Sequence, residues 1–396
     1  MKGSENRDES PTISLVQGGP FYRLCTRLGL CEPDLRPAYK RMLLAAGLTW
    51  VPLLVLSVIE GHARTGSAEL PFFRDIIAHV RFLIAVPAFL AAGTAVHSLI
   101  GMLLENFITR GIIREADMPR FRAAVAALHK VRDSTVLEVG LLVVSYTIGI
   151  LIWRNRFASE MSSWYASPNG SGMDLTLAGY WLVFFSLPIF YFLLLRWYVR
   201  LINWFVFLFR ISRLDLNLIP THSDRSGGIG FVGRCTYGFS AFLFGEGALL
   251  AGFVANSALY EGKSVMEFKT EAMVGVGICV ALILAPMLVF ALPLIRAKWG
   301  AIATYGGLTT RYVRAFDERW IDGVNPDSEP LLGTGDIQSL ADLTNSMSVV
   351  RDMRCIPFVW QDVVWLLAMT MLPLVPLILL VSSVAQIFGK LVKIVL

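Results

Sequence analysis

Seven stretches of this chain are long and apolar enough to cross a lipid bilayer, and this constrains its fold class before any motif is considered. They run from Met42 to Ile59, Phe82 to Leu104, Val136 to Trp153, Leu175 to Leu195, Tyr237 to Leu259, Met273 to Ile295 and Trp360 to about Val381. About 20 residues, each rising 1.5 Å, match a hydrocarbon layer of roughly 30 Å. Soluble domains carry about 25% charged residues; this chain carries 16%, with 55% hydrophobic residues and a mean hydropathy of +0.60. No run alternates with the two-residue period of a barrel strand, and helices satisfy their own backbone groups in lipid. The sequence therefore predicts an all-α integral membrane protein: a bundle of about seven transmembrane helices with amphipathic cytoplasmic helices.

Charge placement divides the chain further. Lys and Arg concentrate in cytoplasmic segments of membrane proteins. Of the 35 here, 26 fall in the N-terminal tail and in the segments after the second, fourth and sixth runs. This predicts a cytoplasmic tail over residues 1–41 with room for an interfacial helix. A six-span bundle over 42–295 follows, with cytoplasmic loops 105–135 and 196–236. Residues 296–359 form a cytoplasmic helical segment, and 360–396 a seventh span and tail. The first 41 residues lack the short apolar core and cleavage site of a signal peptide, so the first run is expected to be an uncleaved anchor. Pro373 and Pro376 predict a kink in the last span, and the tail that follows could also lie flat at an interface. The C-terminus is expected outside if that run spans.

Several polar segments read as ordered helices. Pro119 suits a first helical position, and Phe121, Ala124, Val125 and Leu128 then share one face. Thr135 and Glu138 have the spacing of a capping box for the third span. The fourth apolar run continues past Leu195 to about Arg213, which predicts a helix outrunning the bilayer, with Arg196 and Arg200 placed to reach lipid phosphates. Its aromatic residues, Trp197, Tyr198 and Trp204 among them, suit a belt or helix packing. Tyr305, Leu308, Tyr312 and Phe316 share a face beyond the sixth span. Ile337, Leu340, Leu343, Met347 and Val350 form a stripe on a second helix, with Asp336, Asp342, Asn345, Arg351 and Asp352 on its solvated side.

The most polar interval, LDLNLIPTHSDRSGGIGFVG from Leu214 to Gly233, is the candidate ligand loop. Thr221, His222, Asp224 and Arg225 supply hydroxyl, imidazole, carboxylate and guanidinium groups. Gly227 and Gly228 permit backbone angles closed to other residues. Such a turn before a helix can direct backbone N–H groups at a phosphate, a lipid head group or a carboxylate, with Arg225 adding a bidentate contact. The competing reading is a capped hinge in which these side chains bond one another and the backbone. The spacing G-x-G-x-x-G at Gly228, Gly230 and Gly233 lacks the preceding strand that a dinucleotide site requires. His222 and Asp224 alone do not make a metal site, and the five cysteines show no zinc spacing. No cofactor is implied.

Glu246 is the second candidate. It lies near the middle of the fifth run among apolar, small and hydroxylic side chains, where an unpaired ionisable group is costly and marks a functional position. It is read as a transport-path residue, or as an acid bonding across to Tyr146 or His97. Ala241, Gly245, Ala248, Gly252 and Ala255 form a small-residue stripe on the same helix, which allows a neighbour to approach closely.

The segments PTHSDRSGGIGFVG and LLGTGDIQSLADLTNSMSVVRDMRCIPF resemble those of a family of uncharacterised bacterial polytopic inner-membrane proteins of similar length. That family carries no established activity. The resemblance implies the same architecture and a bacterial inner (plasma) membrane location, adds weight to His222, Asp224, Arg225 and Asp336, and transfers no reaction.

Two function classes follow. One is an ion or small-solute channel or transporter, expected as a homo-oligomer in the lipid bilayer, with an anionic lipid or small anion at the cytoplasmic loop. The other is a non-transporting scaffold or regulator acting through its cytoplasmic helices. The chain lacks H-E-x-x-H, G-x-S-x-G and Walker A signatures, which weighs against an enzyme. Nothing points to nucleic acid.

Overall fold

The computed structural model describes residues 18–27, 38–64, 69–156, 163–169, 172–260, 263–322 and 335–377. Its helices are α1 (Gly19–Arg27), α2 (Ala38–Ile59), α3 (Ile76–Thr109), α4 (Met118–Arg132), α5 (Thr135–Arg156), α6 (Leu177–Ser212), α7 (Phe231–Tyr260), α8 (Val265–Trp320), α9 (Asp336–Arg351) and α10 (Trp360–Leu377). Six of them, α2, α3, α6, α7, α8 and α10, are individually long and apolar enough to cross a membrane. The number rises to seven if Glu115–Arg132 and Thr135–Leu151, which meet at a 42° bend, count as one span. The bundle is thus an all-α polytopic architecture. The end of the last apolar run and the amphipathic tail lie outside the described residues.

One small feature escaped the sequence reading. Strands β1 (Ala166–Asn169) and β2 (Gly172–Leu175) pair antiparallel, Ala166 opposite Leu175, between α5 and α6. They help close one end of the bundle. There Trp164 packs edge-on against Phe72 and donates to Asp75 at 3.0 Å. Glu60, just past α2, accepts the N–H of Leu177 at 2.8 Å and so caps α6.

Helix lengths set up the rest of the molecule. The 22 residues of α2 and of α5 give roughly 33 Å each, which matches one bilayer. By contrast α3 has 34 residues, α6 has 36 and α8 has 56, so each outruns that layer. The excess gathers at the end opposite the hairpin, where α4 runs along α6: Phe121, Ala124, Val125 and Leu128 are all buried, and Asn203 donates to the Leu128 carbonyl at 3.1 Å. Within the layer, exposed apolar side chains such as Leu43, Val55, Val143, Phe185 and Ile278 form the surface that a hydrocarbon environment requires.

At the start of α5 two expectations change. Ser134, not Thr135, caps the helix by accepting the Leu137 N–H at 3.2 Å. Glu138 is thereby released for other partners: it accepts the Phe21 N–H at 2.7 Å and pairs with Arg196 at 2.8 Å. Arg196 is buried and lies 4.8 Å from the Phe21 ring centroid. Its charge is therefore neutralised inside the protein and does not reach lipid phosphates.

Helix α7 lies at the centre because it has given up side-chain volume. A Cβ on Gly245 would come within 2.7 Å of Phe89 on α3, and one on Gly252 within 3.2 Å of Val80. At Gly247 the carbonyl of Thr370 on α10 occupies the place a side chain would need. The small-residue stripe thus packs as its spacing predicts.

Beyond the layer, α8 continues to Trp320 and α9 folds back along it. Asp336 joins the two. It accepts from Trp320 Nε1 at 2.9 Å, lies 3.5 Å from Arg319, and its carbonyl accepts from Tyr312 at 3.1 Å. It therefore fastens the hairpin and does not lie on a solvated face.

Candidate functional site

The loop between α6 and α7 is organised around Asp224. Its Oδ1 accepts the N–H groups of Ser226 at 2.8 Å and Gly228 at 3.1 Å, and its Oδ2 accepts that of Gly230 at 2.8 Å. Three donors converge because the backbone is left-handed at Arg225 (φ +53°), Gly227 (φ +63°) and Gly228 (φ +93°). Glycine adopts such angles freely. Burial pushes the Asp224 carboxyl up, but the three backbone donors and nearby His222 outweigh it and hold the group below its usual range. The N–H groups that the sequence reading offered to an outside anion are thus occupied by this internal carboxylate.

His222 is tied into the same turn. Its Nδ1 lies 3.1 Å from the Asp224 N–H and 3.0 Å from Asp224 Oδ1. A neutral imidazole accepts the first contact; a protonated one donates into the second. Arg225 points outward, 3.7 Å from Asp352, both half-exposed or more. Thr221 is half-buried at the loop entrance. Gly227 packs on Met353, and Gly228 on Ile112 and His222.

The segment entering α10 closes over this turn. Arg354 donates to the Asp224 carbonyl at 2.6 Å and to Ser226 Oγ at 3.0 Å, while its own N–H donates to the Arg225 carbonyl at 2.7 Å. Asp362, which is buried, accepts from Tyr237 at 2.8 Å and from the Val359 N–H at 2.8 Å. Loop and segment form a clasp joining the starts of α7 and α10. Sequence reading missed Arg354 and Asp362, because a single cation and a single acid flanking apolar runs carry no spacing signal.

Glu246 is a different kind of site. It is partly buried in α7, and its one hydrogen-bond partner among the described residues is the Tyr198 hydroxyl on α6, which donates at 3.3 Å. Neither residue named from the sequence reaches it. Tyr146 is 37% exposed, because Ser145 and Gly149 carry the packed face of α5 and a one-residue step turns the side chain about 100°. His97 on α3 is half-buried and level with Gly238, which packs on Val96 and Leu99. That is roughly 12 Å along α7 from Glu246 at 1.5 Å per residue.

Glu246 stands near the middle of α7, which has 30 residues, and Tyr198 is two residues past Arg196, the partner of Glu138 in the first turn of α5.

Among the described residues there is no group of three or more His, Cys, Asp or Glu placed to hold a metal ion. Compared with known proteins, the chain matches no family model, no curated protein and no solved structure.

Proposed function

We propose that the protein is a membrane channel or transporter for an ion or small solute, working as a homo-oligomer, with Glu246 on or beside the path. The supporting observation is the thin partnership of this acid. It is held inside the bundle by one long contact to Tyr198, whereas Asp224, Asp362 and Glu138 each have two or more partners. A carboxyl left with spare acceptor capacity between closely packed helices can bind and release a proton or cation.

The charge-rich end carries α4 and the α8/α9 hairpin, and the excess of Lys and Arg there supports a cytoplasmic assignment and a periplasmic C-terminus. The resemblance noted above supports a bacterial inner membrane. In this reading the clasp couples the cytoplasmic hairpin to α7, and hence to Glu246.

Reconstitution into liposomes tests it. Wild-type protein should give ion flux under at least one gradient, and Glu246→Gln should lower it tenfold or more. No flux from wild type under any gradient would end the transport reading. Equal flux from the variant would remove Glu246 from the path and leave the channel standing. A second reading, a scaffold acting through its cytoplasmic helices, draws on the exposed Trp299 and Leu308 of α8. A silent wild type that retains a protein partner on the hairpin would favour it.

A further inference from the structure

Arg200 on α6 carries a charge that no described residue pairs. Its neighbours are engaged: Arg196 pairs with Glu138, whose other oxygen accepts the Phe21 N–H, Arg132 pairs with Asp133, and Arg41 on α2 donates to Thr94 Oγ1 at 3.2 Å. Arg200 makes no ion pair among the described residues. Its guanidinium lies 4.9 Å from the Trp197 ring centroid, which holds it in place without neutralising it. The charges close enough to act on it are Arg41, Arg196 and Glu138, so the local balance is positive.

Three helices place Arg200 at one edge of the bilayer. Arg41 stands in the first turn of α2 and Glu138 in that of α5, two helices whose length matches one hydrocarbon layer. Along α6, Arg200 lies roughly 35 Å from Leu177 at 1.5 Å per residue, just beyond a layer of roughly 30 Å counted from the capped start of that helix. Lipid phosphates lie at this height. Arg132, Arg196 and Arg200 line a notch of about 30 Å³ between α5 and α6, which has room for about two water-sized groups. It can take phosphate oxygens but no organic body, so whatever carries the phosphate must lie outside it. There Val139, Leu142 and Val143 of α5 are exposed beside hydrocarbon, the environment of an acyl chain.

We propose that this notch binds the headgroup phosphate of an anionic phospholipid, with the phosphate oxygens on Arg200 and the acyl chains along the outer face of α5. Guanidinium groups favour phosphate because their planar donors match its oxygens bidentately. A zwitterionic headgroup brings its own cation, which competes for the phosphate and is repelled by the arginines around it, so the site selects a lipid of net negative charge. The bound lipid bridges α5 and α6 beside the Arg196–Glu138 pair that holds α1. The proposal does not depend on the transport reading.

Native mass spectrometry of the full chain in detergent counts bound lipid during titration with dioctanoyl phosphatidylglycerol or with phosphatidylcholine of the same chains, each with and without excess inorganic phosphate. The expected result is that the first phosphatidylglycerol binds at least tenfold more tightly than phosphatidylcholine and is not displaced by inorganic phosphate. In Arg200→Gln the preference should fall to about twofold or less. That variant breaks no ion pair and relieves repulsion from Arg196; Leu137→Trp, which fills the notch from its wall with every charge in place, should give the same loss independently. Arg213→Gln, an exposed arginine farther along the same helix, should leave the preference as in wild type. Equal wild-type affinity for the two lipids, or an unchanged preference in both notch variants, would overturn the site. An equal loss in Arg213→Gln would reduce it to diffuse charge, and displacement by inorganic phosphate would assign the notch to a free anion; either overturns the proposal.

Discussion

The Asp224 turn and the Glu246 helix stand about as far apart in chemistry as two carboxylates in one bundle can. Asp224 collects three backbone donors and a neighbouring imidazole, and Arg354 closes over it from the α10 side. Glu246 has one tyrosine at 3.3 Å, and its surroundings are held by the close approach of helices at Gly245 and Gly247. In the loop the polar groups build the structure. In the helix packing builds the structure, and the polar group is left with capacity to spare. A carboxylate's partner count therefore separates an architectural acid from one free to exchange.

This contrast can be broken or sharpened by substitution. The largest effect is expected from Gly247→Ala, because its methyl would take the position of the Thr370 carbonyl and α7 and α10 would have to separate. Overpacking of a rigid contact costs roughly 1–3 kcal/mol and sometimes more, and backbone against backbone belongs at the upper end. Thermal unfolding in detergent should show it, and an unchanged midpoint would contradict the central packing of α7. Next is Asp224→Ala, which strands three N–H donors and should destabilise by roughly 2–3 kcal/mol, read by the same measurement. A loss below about 0.5 kcal/mol would mean that the turn does not depend on its carboxylate.

A smaller effect is expected from acid. The Asp224 carboxyl sits below its ordinary value of 3.8, so its stabilising contribution is complete above that pH. It is lost only as pH falls through the lower folded value. Amide exchange at Ser226, Gly228 and Gly230, corrected for intrinsic rate, should accelerate below about pH 3.8 and stay level above it; acceleration already well above that pH would mean that the Asp224 carboxylate does not control the turn. The smallest stability effect belongs to Glu246→Gln, within about 0.5 kcal/mol of wild type, even where its flux has collapsed. A large loss of stability would move Glu246 into the same architectural class as Asp224.

Much of the bundle was legible because its signals are local. Apolar run length gave the helices, Pro119 gave the start of α4, and the spacing of Gly245 and Gly252 gave the tight face of α7. The overrun of α6 was readable from LINWFVFLF. What could not be read was pairing between residues far apart in the chain. Glu138 has the spacing of a cap, and only the fold brings Arg196 and Phe21 to it. Asp336 has the look of a solvated helix start, and only the return of α9 along α8 gives it Trp320. The candidate loop was legible in composition, with the hinge and ligand readings both open. The arrangement around Asp224 fits the hinge, because the donors a ligand would use are internally satisfied. The partner of Glu246 was misjudged because neither the rotation of α5, which turns Tyr146 outward, nor the offset of His97, level with Gly238 of α7, is written in the runs themselves.

The length of α8 has a mechanical consequence. Its last uninterrupted stretch, Ala291–Trp320, has 30 residues and makes a rod of roughly 45 Å that carries α9 near its far end. A rod of that length turns angle into distance: a tilt of roughly 5° about one end would carry the other by roughly 4 Å, most of a helical turn. A sub-ångström adjustment among closely packed helices can thus become, at Trp320, a displacement large enough for another molecule to sense or to impose.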